Sequence, residues 1–150
     1  MYRAKPGIKK DHVRRWALPD RVFFGHGACH ILAGVYLGEA PLPGFHAERI
    51  MPHGEVPGGH MYVTDGTIAF DYHGYSLRQR LLDHHKKVWS TIQPGWDYDV
   101  EIVDFPILGA HALNARKMLG PGQYLENPIP RASAFIARVD HHSLAARARR

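Results

Sequence analysis

The sequence predicts an α+β fold in which a helix opening at Cys29 packs on a small antiparallel sheet. Three stretches carry that prediction. His60-Met61-Tyr62-Val63-Thr64-Asp65-Gly66-Thr67-Ile68-Ala69-Phe70-Asp71 sets two runs of β-formers around an Asp-Gly pair, a strong signal for a two-residue hairpin turn. Between Cys29 and Gly38, the residues Leu32, Ala33, Tyr36 and Leu37 recur at helical spacing. Tyr98-Asp99-Val100-Glu101-Ile102-Val103-Asp104-Phe105 largely alternates, with Val100 and Ile102 on one face and Asp99 and Glu101 on the other, as a half-buried strand does.

Taken in order, residues 1–20 are polar and basic, with Trp16 and Leu18 as anchors onto the body. Arg21-Val22-Phe23-Phe24 and Gly25-His26-Gly27 lead into the helix at Cys29. Gly34 weakens that helix and marks close packing against the hairpin, and Gly38 is its expected C′ residue. Residues 39–59 hold Pro41, Pro43, Gly44, Pro52, Gly54, Pro57, Gly58 and Gly59, the punctuation of a binding loop, with a short strand at Phe45–Ile50. This loop runs straight into His60.

With Asp65 and Gly66 at the turn, Thr64 faces Thr67, Val63 faces Ile68, Tyr62 faces Ala69, Met61 faces Phe70 and His60 faces Asp71. Alternation then puts Met61, Val63, Ile68 and Phe70 on one apolar face. His60, Tyr62, Thr64, Thr67, Ala69 and Asp71 share the other. Tyr72-His73-Gly74-Tyr75 turns the chain, and Ser76-Leu77-Arg78-Gln79 has the form of a capping box. Leu77, Leu81, Val88 and Trp89 give the stripe of a helix over 76–90, ended by Pro94-Gly95. A helix over 110–119 stops at Gly120-Pro121-Gly122, and Pro128 and Pro130 mark a loop before 132–139, which reads equally as helix or strand.

The 150 residues suit a single domain, with 1–20 and 141–150 peripheral, and the 45% apolar share is enough for a core. No stretch has membrane-span length, and Met1-Tyr2-Arg3-Ala4-Lys5-Pro6 has no apolar signal core, so the expected location is cytoplasmic. The one cysteine excludes an intramolecular disulfide. Much of the net charge of +5 sits at Lys9, Lys10, Arg14, Arg15, Arg147, Arg149 and Arg150, read as solvated ends. The C-terminal charges have no aromatic residues among them for stacking on bases, so nucleic acid is not an expected partner.

Two features carry chemistry. Asp71 is the carboxylate placed to hold the ring of His60, which would fix one imidazole tautomer and leave the other nitrogen for a reaction partner. Cys29 falls in the first turn of a helix, where orphan backbone N–H groups and the dipole favour a thiolate. The glycines before it allow a substrate carbonyl to approach the backbone closely. Against this, a free cysteine is commonly a small buried hydrophobe.

A cysteine opening a helix, a histidine opening a strand and a carboxylate on the next strand resembles the papain-like cysteine peptidase superfamily. The nearest branches are the NlpC-like cell-wall peptidases and the related transglutaminase-like fold. Gly27-Ala28-Cys29-His30 and His60 through Gly66 to Phe70-Asp71 carry the resemblance, within residues 23–75. It implies Cys29 as nucleophile, His60 as general base and then acid, Asp71 as orienting group, and no cofactor or metal. The implied substrate is an amide: a peptide, an isopeptide or a cell-wall stem. Cys29 would attack the carbonyl, His60 would protonate the leaving group, and water or another nucleophile would resolve the thioester. The oxyanion would meet the backbone N–H of Cys29 and a second donor. No glutamine lies shortly before Cys29, where Phe23 and Phe24 stand instead, and His26 is the nearest polar candidate. Tyr62 shares the His60 face, to line a cleft or to cover the sheet.

Two other readings compete. Zinc could take Cys29 and His26 with His60 and a further histidine among the 12 present, although no CxxC or HExxH occurs. His84-His85 and His141-His142 read as exposed. The second alternative is a non-catalytic interaction domain of the same fold, using the long loop and basic ends as its contact surface.

Overall fold

The structure is a computed structural model that describes residues 11–150. The expectations for Met1–Pro6, Lys9 and Lys10 fall outside those residues. Among the described residues, no helix is long and apolar enough to cross a membrane.

The fold is α+β around an open five-stranded sheet. Its strands are β1 (His46–Pro52), β2 (His60–Thr64), β3 (Ile68–Asp71), β4 (Gly74–Leu77) and β5 (Tyr98–Ile102). They lie in the order β4-β3-β2-β1-β5, each neighbour antiparallel. The helices are α1 (His12–Trp16), α2 (Asp20–Phe23), α3 (Cys29–Glu39), α4 (Arg78–Ile92), α5 (Ala110–Ala115), α6 (Pro128–Ala137) and α7 (His141–Ala148).

Both faces of the hairpin are buried. Met61, Val63 and Phe70 pack with Ile31, Leu32, Val35 and Tyr36 of α3, and α6 adds Ala132 and Ile136 to the same core. Ile50, Tyr62 and Ala69 pack with Leu81, Leu82 and Trp89 of α4 and with Trp96. The hairpin thus separates two apolar layers, as the sorting of residues by face predicts, but neither face is solvated. Trp16 and Leu18 pack onto the first of these cores.

The register of the hairpin differs from expectation. Val63 pairs with Phe70 and Thr64 with Ala69, so the connection is longer than a two-residue turn. Side chains hold the wider loop: Asp65 Oδ1 accepts from the amides of Thr67 and Ile68, and Thr64 Oγ1 donates to the Ile68 carbonyl at 2.7 Å. Gly66, at φ 99°, takes the left-handed position this loop requires. A shift of two residues preserves every side-chain face, because the strand period is two.

Other departures have local causes. Gly38 lies inside α3, which ends at Ala40 in the left-handed region with φ 47°. The short strand expected at Phe45–Ile50 is present as β1, His46–Pro52, and it is an inner strand between β2 and β5. Ser76 pairs with Ala69 in β4 and caps nothing; α4 begins from Leu77 with no side-chain cap. β5 alternates as expected, Tyr98 and Val100 packing on the second core while Asp99 and Glu101 are exposed, and only Ile102 at its end departs, at 63% exposed. The helix expected over 110–119 is only Ala110–Ala115. Pro128 stands at the start of α6, where its missing N–H costs nothing, and the Asn127 side chain caps the Ile129 amide.

Residues 141–148 are not peripheral. Helix α7 docks on β4, with Ala145 packed in a core with Leu42 and Ile68. Tyr75 Oη lies 2.7 Å from both Tyr36 Oη and His141 Nδ1, while His141 Nε2 donates to the Ile136 carbonyl at 2.9 Å. His141 is therefore half-buried within a hydrogen-bonded chain that crosses from α3 to α7.

Candidate active site

Helix α3 presents Cys29 at its first position. Ile31 and Leu32 both return their N–H groups to the Ala28 carbonyl. The amides of Cys29 and His30 therefore stand at the helix mouth with no intrahelical partner, as the geometry of a helix start demands. Gly27 enters at φ 96°, a backbone setting that glycine takes without strain. The sharp turn it makes brings Cys29 to a recess shared with Phe24, His60, Asp71 and Tyr72.

His60 opens β2 and Asp71 closes β3. In the observed register, Asp71 falls level with Tyr62, and His60 is its diagonal neighbour on the same face. His60 Nε2 donates to Asp71 Oδ2 at 2.9 Å, with both residues buried. The other carboxylate oxygen accepts the His73 amide at 2.9 Å. With Nε2 committed to Asp71, Nδ1 is the ring nitrogen left for the Cys29 sulfur.

The His60 ring is clamped from two sides. His85 of α4 stacks on it at 5.5 Å with an interplanar angle of 14°, and Tyr72 meets it edge-on at 5.6 Å. His85 is itself held, its Nε2 donating to the Gly58 carbonyl at 2.6 Å. Trp96 Nε1 donates to the Pro57 carbonyl at 2.9 Å, so two aromatic donors fix the backbone leading into β2. Gly58 is at φ 121°, and a Cβ there would lie 2.7 Å from that Trp96 nitrogen.

The electrostatics follow from this packing. Burial by itself would push the Cys29 thiol up, but the side chains of His30 and His60 and the His60 charge outweigh it and hold the thiol at about 5. Burial likewise opposes a charge on His60, yet Asp71 and the Cys29 thiolate raise it to about 10. Asp71 is held below the ordinary carboxylate range by His60 and the His73 amide, against its own burial. His85 moves the other way, down to about 4, because it is buried and because it faces the charged His60. These shifts all favour a thiolate beside an imidazolium, with His85 kept neutral behind them.

The remaining candidates divide. Tyr62 borders the recess, but it is buried and its hydroxyl donates to Glu48 at 2.7 Å, so it is a core residue and not a free wall of a cleft. Glu48 also takes Arg78 at 2.8 Å and His46 at 3.0 Å. His26 sits in the turn before Cys29, its amide donating to the Val22 carbonyl, and is not part of the recess wall. His30 is buried, with Nε2 2.7 Å from the Leu119 carbonyl. Among the described residues, no three His, Cys, Asp or Glu side chains are gathered as metal ligands, so the four-ligand zinc reading has no site there.

Sequence reasoning missed two contributors. His85 was expected at the surface and is buried; the signal was its place in the series Leu81, His85, Trp89, spaced one helical turn apart on the apolar face of α4. Arg15 was expected in a solvated end and is also buried, against Gly27 and Tyr124. No local pattern marks it. Comparison of the chain with protein families, curated proteins and solved structures finds no match.

Proposed function

We propose that this protein is a thiol hydrolase or acyltransferase of papain-like arrangement acting on an amide bond. Cys29 is the nucleophile, His60 the base and then acid, and Asp71 the group that orients the ring. The observation that carries the reading is the buried His60–Asp71 hydrogen bond of 2.9 Å, set beside a thiol whose acidity is increased to about 5. Perturbed groups of this kind, gathered in one recess, are the usual mark of a reacting site.

In this reading the thiolate attacks the amide carbonyl, and the carbonyl π-electrons move onto oxygen. The amides at the mouth of α3 meet that oxyanion. His60 gives the Nδ1 proton to the departing amine, the C–N bond breaks, and a thioester remains on Cys29. His60, now neutral, takes a proton from water or from an acceptor amine, which releases the acyl group and restores the thiolate. The substrate is peptide-like: a peptide, isopeptide or cell-wall stem amide. A cytoplasmic setting goes with the reading, because a reduced thiol is the working form.

Activity-based labelling with a thiol-directed electrophile tests it. Wild type should label at Cys29; Cys29→Ala should not label, His60→Ala should label far more slowly, and Asp71→Ala should show a smaller loss. Equal labelling of wild type and His60→Ala would remove His60 as the base. Labelling only in denaturant would make Cys29 a core residue, as the non-catalytic reading requires.

A further inference from the structure

Arg15 is 6% exposed, and its Nε has no hydrogen-bond partner. Among the described residues, no carboxylate pairs with it, although other arginines find acids: Arg78 with Glu48 at 2.8 Å, Arg131 with Asp20 at 2.7 Å and Arg49 with Glu101 at 3.0 Å. A guanidinium kept from water without a counter-charge is costly, and that cost falls when an anion arrives. Arg15 is not in a remote corner. Its Nη2 packs on the backbone of Gly27, so closely that a Cβ at Gly27 would collide with it, and Gly27 lies two positions before Cys29. The guanidinium also lies over the Tyr124 ring, 5.4 Å from its centroid, and Tyr124 Oη donates to the Gly27 carbonyl at 2.7 Å. Tyr124 is near enough to Cys29 for the thiolate charge to act on its phenol.

We propose that Arg15, seated on Gly27 and Tyr124, is the binding site for a carboxylate on the substrate, close to the scissile amide. This rests on Cys29 being the reacting thiol, and it narrows the substrate to an acidic peptide-like amide. A planar guanidinium suits a carboxylate because it can offer two parallel N–H donors. Tyr124 holds the Gly27 carbonyl and the face of Arg15 together, so the carboxylate site and the nucleophile's turn move as one unit.

Two small alkylating agents test it, the anionic iodoacetate and the neutral iodoacetamide. The imidazolium of His60 favours the anion in any case, so the informative quantity is how the ratio of the two Cys29 alkylation rates responds to Arg15. Replacing Arg15→Gln should lower the iodoacetate-to-iodoacetamide ratio about tenfold, and Arg15→Lys, which keeps the charge, by much less. A ratio that is the same in wild type and Arg15→Gln overturns the site.

A second measurement needs no variant. N-acetylglycine should slow iodoacetamide alkylation of wild type more than N-acetylglycinamide does if the carboxylate is a terminal one. The α-amide of N-acetylaspartate should be the better protector if it is a side-chain one. No protection by either carboxylate overturns the proposal. If iodoacetamide itself reaches Cys29 only in denaturant, it is the nucleophile reading that fails, and the two failures are distinct.

Discussion

Asp71 holds His60 with one carboxylate oxygen while the other is tied to the chain: Oδ2 accepts His60 Nε2–H at 2.9 Å and Oδ1 accepts the His73 amide at 2.9 Å. The carboxylate therefore cannot swing away from the ring. Replacing Asp71→Asn removes its charge and offers an N–H where His60 needs an acceptor. The imidazolium loses its main support, and the Cys29 thiolate loses part of its own. The acid midpoint of Cys29 alkylation should rise by about one to two pH units, read from iodoacetamide rates by mass spectrometry. A midpoint that stays near 5 would show that Asp71 does not act through His60.

In wild type, the thiolate and imidazolium coexist from about 5, where Cys29 takes up its proton, to about 10, where His60 loses its own. Alkylation should therefore reach its plateau at mildly acidic pH, well below the ordinary thiol value of 9.0. His60→Ala should move the midpoint upward toward that value. The pair also bears on stability. Cys29, depressed on folding, contributes above its unfolded value and loses that contribution as pH falls through about 5; His60, raised on folding, contributes below 6.5 and loses it as pH rises through about 10. Melting temperature should fall on both flanks, and less steeply in Cys29→Ala.

His85 sets a separate acid limit. Its folded value is about 4 against 6.5 when free, so between these values the unfolded chain takes up a proton that the folded protein refuses. Stability tied to neutral His85 is complete above 6.5 and is lost as pH falls toward 4, up to about 3 kcal/mol in all. His85→Gln keeps a donor for the Gly58 carbonyl but has no such titration. Its urea midpoint should fall less than that of wild type between pH 6.5 and 4. Parallel losses in the two proteins would refute the assignment.

Gly34 lies where α3 passes under the chain at Ile107 and Leu108: a Cβ there would stand 2.7 Å from Leu108 Cδ2 and 3.0 Å from Ile107 Cγ2. The close packing inferred from this glycine is real, but it is against that segment and not against the hairpin. Gly34→Ala should destabilise by about 1–3 kcal/mol through overpacking, with the acid midpoint of Cys29 little changed. Gly27→Ala should lose both stability and reactivity, because a side chain there meets Arg15 and the φ of 96° is lost.

Patterns with short periods were readable from the residues alone. The helix from Cys29, the separation of Met61, Val63 and Phe70 from Tyr62 and Ala69, and the placing of His60 and Asp71 on one face all follow from spacings of two or of three to four residues. Such spacings depend only on backbone geometry. They survived even a shift of two in the hairpin register, since that shift leaves the faces alone.

Tertiary packing decided the rest. Ser76, a cap by motif, became a rung of β4 because Ala69 was there to pair with it. His85, His141 and Arg15 look like surface residues along the chain, and each is drawn inward by partners from other elements: Gly58 and His60, Tyr75, Gly27 and Tyr124. Whether a polar side chain is buried depends on what the rest of the fold brings against it, and those contacts leave no period in the sequence. The residue types and their faces were local properties of the chain. The charge on Cys29, the clamp on His60 and the unpaired cation at Arg15 exist only once α1, α3, α4 and the sheet have met.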